Sequence, residues 1–271
     1  MPDGARTVCT VCRMDAPLTG FWTQVDNPVV RKFWGLVPVV NASAFLFFVR
    51  GNGYRDLIHG FKYYGRWRQA LEMGAWYGGE LAAGGLYAGV DVVVPVPLHL
   101  RKRLHRGYNQ AEYIARGIAE SLGVPVDVHS VRRHRHNPSQ ALKEHRQRWE
   151  NVRGIFSVRR PGRLCGKHIL LVDDVLTTGA TLAACAEAIV GTAPACRVSM
   201  ATLAVSAYEL FGWKGKGGLE AFRASGFRRA LGRRFPVFPT PFPADGTYVG
   251  GAGGAMSCNG AAAHTAYSLS R

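Results

Sequence analysis

The chain has 271 residues, 47% of them hydrophobic and 19% charged, enough to bury one substantial core with a small appendage. Its formal net charge of +16 favours a polyanionic partner, whether nucleic acid, a phosphorylated small molecule or an anionic membrane surface. No uninterrupted apolar run reaches the ~18–20 residues of a membrane span; the longest, 36–49, contains Pro38, Asn41 and Ser43. Residues 1–10 lack a charged region followed by an apolar stretch, so no secretory signal is expected. The six cysteines are scattered except for Cys9 and Cys12, which is not a disulfide framework and points to a reducing cytoplasm.

Three domains are expected: a cysteine-containing head over 1–35, an α/β domain over 36–208, and a Gly/Ala/Pro-rich basic tail over 209–271 without a packed core. In chain order, the short apolar run 44–49 predicts a strand. Leu57, Ile58 and Phe61 predict a helix over 54–64, and 67–83 predicts a second, interrupted by glycines. The run 90–94 predicts a buried strand stopped by Pro95 and Pro97. Ile114, Ile118 and Leu122 predict a helix over 110–122, capped by Asn109 and ended by Gly123. Strands are expected at 124–128, 155–158, 168–172 and 198–205, and a helix at 180–190. Such alternation implies a mostly parallel sheet with helices on both faces.

The sharpest segment is 169–181. Four apolar residues lead into Asp173 and Asp174, then into a small hydroxyl-rich turn with Thr177, Thr178, Gly179 and Thr181, which opens the 180–190 helix. In open parallel sheets ligands bind beyond the carboxyl ends of the strands. The small turn lets backbone N–H groups close on a phosphate, and the helix start adds unpaired donors and its dipole. Two carboxylates beside a phosphate need another task, such as accepting from ribose hydroxyls or holding Mg²⁺ through water. The bland alternative, a buried strand ending in an Asp-rich turn with threonine caps, explains each residue singly but not the combination. No Gly-Lys-Ser/Thr follows the turn, which excludes a Walker loop.

A second constellation is Pro95-Val-Pro97-Leu-His99, followed by Arg101, Lys102, Arg103 and Arg106-Gly107-Tyr108-Asn109-Gln110. A cation cluster at a strand end suits a pyrophosphate, although an exposed basic loop has the same composition.

The 169–181 segment resembles the phosphoribosylpyrophosphate-binding motif of type I phosphoribosyltransferases. The resemblance implies that Asp173 and Asp174 face the ribose hydroxyls, and that Thr177, Thr178, Gly179 and Thr181 bind the 5′-phosphate. The Pro95–Gln110 constellation, with Ser139-Gln140, Arg148-Trp-Glu-Asn151 and the Leu57-Ile-His-x-x-Lys62-Tyr63 echo, resembles the ComF family, a competence-associated branch of that fold. That family implies a flexible hood carrying Gln140, Arg148 and Asn151, a 5-phosphoribosyl-1-pyrophosphate ligand with Mg²⁺, and a link to DNA uptake. Transfer of the phosphoribosyl group to a nitrogen acceptor is the expected activity, with Arg101, Arg106 and the arginine-rich hood from Arg132 to Arg148 as candidates to stabilise the leaving group.

Members often begin with a four-cysteine zinc ribbon. Here Cys9 and Cys12 supply half of one, so Zn²⁺ is expected to bind poorly or not at all. The alternative is a non-catalytic accessory protein of DNA uptake that senses a ligand or binds single-stranded DNA. The basic charge supports it, although tryptophans and tyrosines are not visibly interleaved as a stacking platform.

Overall fold

A computed structural model describes residues 8–9, 13–48, 53–134 and 154–211. Its main sheet has four parallel strands in the order β1-β6-β5-β2. These are β1 (Ala42–Phe48), β2 (Val92–Pro95), β5 (His168–Leu176) and β6 (Arg197–Ser206). A separate antiparallel pair joins β3 (Val131–Arg133) to β4 (Phe156–Val158).

Both faces of the main sheet are covered, as the near-continuous apolar strands require. One face carries α2 (Gly53–Tyr63), α3 (Trp67–Gly84) and α5 (Gln110–Leu122), packed on Phe45, Val93, Leu170 and Leu203. The other carries the short α1 (Pro28–Arg31) and α6 (Ala180–Val190), packed on Ala44, Val94, Leu171 and Met200. The α/β architecture read from the sequence is the observed one.

Within the 1–35 segment, Phe21, Val29, Val30 and Phe33 are buried in the sheet's core. Asn27 fixes this entry by capping α1: its side-chain oxygen accepts from Val29 N and Val30 N at 2.9 and 3.1 Å. Its amide donates to Ala42 O at 2.9 Å, tying the segment to β1.

Two stretches around the basic turn differ from expectation. The 124–128 run forms a single bridge, Val126 to Val93, rather than a strand. Pro125 has no N–H to donate to a ladder, and Asp127 turns the chain by accepting from His129 N and Ser130 N. The basic turn after Pro97 contains a short helix, α4 (Leu100–Arg106). His99 caps it, its Nδ1 accepting from Arg101 N at 3.2 Å.

The glycines of 67–83 have a physical reason. A Cβ on Gly74 would lie 2.3 Å from Ile114 O, and one on Gly117 would lie 2.1 Å from Leu71 O. These distances belong to backbone, which has no flexible end to yield. Helices α3 and α5 therefore touch backbone to backbone, which brings the Arg106–Gln110 segment against β2. Gly117→Ala is expected to destabilise the protein by about 2 kcal/mol or more, measured by denaturant unfolding. Gly79→Ala, where nothing lies within 4 Å, provides the neutral control.

Candidate phosphoribosyl site

Strand β5 extends four residues beyond its expected end, through Leu176, while its neighbour β2 stops opposite Val172. Asp173 and Asp174 therefore stand at the crevice left beyond Pro95. This is the position at which open α/β sheets accept ligands. Each carboxylate bends back on the chain: Asp174 N donates to Asp173 Oδ1 at 2.9 Å, and Val175 N to Asp174 Oδ1 at 2.6 Å.

The small turn follows at once. Gly179 takes φ +83°, which side-chain-bearing residues rarely adopt, and a Cβ there would meet the Phe33 ring at 3.1 Å. Gly179 is the N-cap of α6 and brings no side chain to it, while Thr178 Oγ1 accepts from Ala180 N at 3.5 Å. Thr178 is buried, Thr181 half-buried and Thr177 exposed. The structure thus brings Asp173, Asp174, Thr177, Thr178, Gly179 and Thr181 together across one strand–turn–helix junction, with the first-turn N–H groups of α6 beside them.

Three cations from three other segments act on the acids, and a fourth, Arg106, stands beside Lys102. Lys62, at the end of α2, places its Nζ 3.0 Å from Asp174 Oδ2. Lys102 of α4 is held below the ordinary lysine range by burial, then by Arg133, Arg106 and Lys62, with Asp174 opposing. Arg133 of β3 is lowered by burial, which Asp173 opposes. Arg106 donates to Gln110 Oε1 at 3.1 Å and lies over the Tyr63 ring at 5.5 Å. Gln110 is buried, and its Nε2 has no hydrogen-bond partner among the described residues.

Arg101, the other candidate from the sequence, projects from the exposed side of α4. Lys102, its half-buried neighbour, is the residue of that helix that meets the cluster. Lys102 belongs to the cation cluster read from the sequence and Arg133 to the arginine-rich 132–148 stretch, but neither is singled out there as the residue that meets the acids. Their role depends on an unpredicted helix and an unpredicted strand. Gln140, Arg148, Asn151 and Cys12 lie outside the described residues, and Cys9 is exposed.

One reading of the sequence is corrected. Aromatic and basic residues do interleave, at the turn from α2 to α3. Tyr63, Tyr64 and Trp67 are 57%, 69% and 38% exposed. Arg66 lies over Tyr64 at 5.9 Å and Arg68 over Trp67 at 5.3 Å. His59 stacks near Tyr63 at 4.4 Å, and Trp67 near Tyr113 at 5.1 Å. This ledge adjoins the crevice, since Tyr63 follows Lys62 in the chain.

Part of the chain is similar to known proteins. The family model described as "Phosphoribosyl transferase domain" matches residues 109–214. The chain is 35% identical over 97 residues to DNA utilization protein YhgH of Salmonella typhi, covering 36% of this chain and 42% of that one. It is 32% identical over 93 residues to Competence protein F of Haemophilus influenzae, covering 34% and 41%. With Competence protein ComFC of Bacillus subtilis it is 34% identical over 112 residues, covering 41% and 43%. Over this part of its length the chain is similar to ComF-type competence proteins. The match spans about two fifths of the length of these ComF relatives. A solved glutamine phosphoribosylpyrophosphate amidotransferase from B. subtilis, complexed with ADP and GMP, aligns over 68% of this chain and 44% of its own. Its identity is 20% and its TM-score 0.37.

Burial, then the neighbouring Asp174, pushes the Asp173 carboxyl up from 3.8 to about 7. The folded protein therefore holds this proton more tightly than the unfolded chain does. The stability it contributes is full below about pH 4 and is lost as pH rises through about 7. Asp173→Asn, neutral throughout, removes that loss. The variant is expected to exceed the parent by about 1–3 kcal/mol at pH 8, with the difference shrinking towards pH 4. Denaturant unfolding at the two pH values measures it, and a pH-independent difference contradicts this assignment.

Proposed function

We propose that this chain binds 5-phosphoribosyl-1-pyrophosphate at the 173–181 loop. The observation that carries this reading is the combination at one crevice: adjacent carboxylates, a small turn at a helix start, and a cluster of cations. The 5′-phosphate would take the N–H groups and hydroxyls of Thr177, Thr178, Gly179 and Thr181. Asp173 and Asp174 would accept from the ribose hydroxyls. The pyrophosphate would lie towards Lys102, Arg106 and Arg133, with Arg101 at the rim.

Such a site suits transfer. The bond from C1 to pyrophosphate breaks, an acceptor nitrogen forms the new bond to C1, and that nitrogen's proton passes to solvent. Cations on the leaving group and fixed orientation supply the acceleration, with no covalent nucleophile.

The Mg²⁺ expected with this ligand finds no ready seat on the described residues. Asp174 is already paired with Lys62, and no group of three His, Cys, Asp or Glu side chains could hold a metal ion. A divalent cation entering the site would be carried by the pyrophosphate. No helix of the described residues is long and apolar enough to cross a membrane. We place the protein in the cytoplasm, where its cysteine thiols would stay reduced.

A second reading, linked to DNA uptake through the named relatives, is favoured by the aromatic ledge. Exposed rings interleaved with arginines suit the bases and phosphates of single-stranded DNA. The two readings are compatible, because the ledge adjoins the crevice without occupying it.

5-Phosphoribosyl-1-pyrophosphate is expected to raise the melting temperature, and Asp173→Ala combined with Asp174→Ala to abolish the shift. No shift for the parent chain removes the ligand reading. For the second reading, Tyr64→Ala is expected to weaken single-stranded DNA binding about tenfold, with affinity falling as salt rises. Fluorescence anisotropy measures both. Undetectable or salt-independent binding removes it.

A further inference from the structure

Lys62 is the least expected member of the site. It comes from α2, a helix that precedes β2, and its partner Asp174 lies on β5. An exposed lysine–carboxylate pair contributes little, because water screens it and two side chains must be ordered. This pair is different. The Lys62 and Asp174 side chains are only 24% and 16% exposed, so the interaction is far less screened.

The helix is also fixed in position. Ile58 and Phe61 are buried under it. The Tyr108 hydroxyl donates to Phe61 O, fastening the end of α2 to the Arg106–Gln110 segment. The ammonium is thus delivered to the acids by packing.

The charges at the crevice do not balance. Lys62, Lys102 and Arg133 act on two carboxylates, Asp173 and Asp174, and Arg106 adds a fourth positive charge beside Lys102. A divalent cation at Asp174 would have to displace Lys62 and then sit among three further positive charges. A pyrophosphate, by contrast, would complete the neutralisation.

We propose that Lys62 serves as the site's built-in cation, occupying Asp174 in place of a metal ion, so that the phosphoribosyl ligand binds with little dependence on divalent metal. This rests on the ligand reading given above. Lys62 is a positioning residue for Asp174: it holds the carboxylate oriented towards the ribose.

The test is calorimetric titration of the full chain with 5-phosphoribosyl-1-pyrophosphate, once in excess Mg²⁺ and once in EDTA. The parent Kd is expected to differ by less than about threefold between the two buffers. Lys62→Met is expected to lose about tenfold or more in EDTA, with Mg²⁺ restoring most of the loss. Lys62→Arg, which keeps the charge, is expected to behave like the parent. Thermal unfolding establishes that each variant is folded. Parent binding seen only with Mg²⁺ overturns the role of Lys62 while leaving the ligand reading intact, as does Lys62→Met binding like the parent in EDTA. No parent binding in either buffer overturns the ligand reading itself. If Lys62→Met does not fold, the parent's own metal dependence decides.

Discussion

Two carboxylates held side by side at the end of a buried strand repel each other, and the surroundings of Asp173 and Asp174 answer that repulsion. One answer is protonation: burial and the neighbouring charge push Asp173 up to about 7. The other is compensation by cations drawn from separate parts of the chain. Lys62 arrives on α2, Lys102 and Arg106 on α4, and Arg133 on β3. The close backbone contact of α3 with α5 and the capping of α4 by His99 hold these segments where the charges meet. Acids and cations thus meet at the sheet's carboxyl edge in the protein's own fold.

Much of this was legible in the sequence, and the reason is local. The strand–acid–turn–helix order of 169–181 is contained in thirteen consecutive residues, so pattern alone places it. Asn109 and Gly123 likewise announce both ends of α5: Asn109 accepts from Ala111 N at 3.3 Å, and Gly123 takes φ +69°. What escaped was non-local. Lys62 reads as one lysine on an amphipathic helix until packing aims it at Asp174. Arg133 reads as part of a basic run until a three-residue strand, too short to show a period, pairs it across to Phe156. The glycines of α3 weaken a helix in isolation, yet they are what the contact with α5 requires. The failed strand at 124–128 shows the same limit: its apolar alternation is real, but Pro125 and Asp127 end the pairing after one bridge.

The aromatic ledge belongs to this non-local class too. Tyr63, Tyr64 and Trp67 are spread along a helix end, a turn and a helix start, and only folding stacks arginines upon them. A ligand crevice and a basic aromatic face thus share one helix, α2, which carries Lys62 into the first and Tyr63 into the second. That shared helix offers a physical route by which occupancy of the crevice and engagement of the ledge could influence each other. Fold alone does not assign chemistry; the charges and donors at the crevice carry the functional reading.

The most direct measurement follows the backbone amides by two-dimensional NMR while 5-phosphoribosyl-1-pyrophosphate is added. Binding at the loop requires the Thr177, Thr178, Gly179 and Thr181 amide signals to move first and saturate together. Shifts confined to the Tyr63–Trp67 ledge, or no shifts at ligand excess, would contradict it.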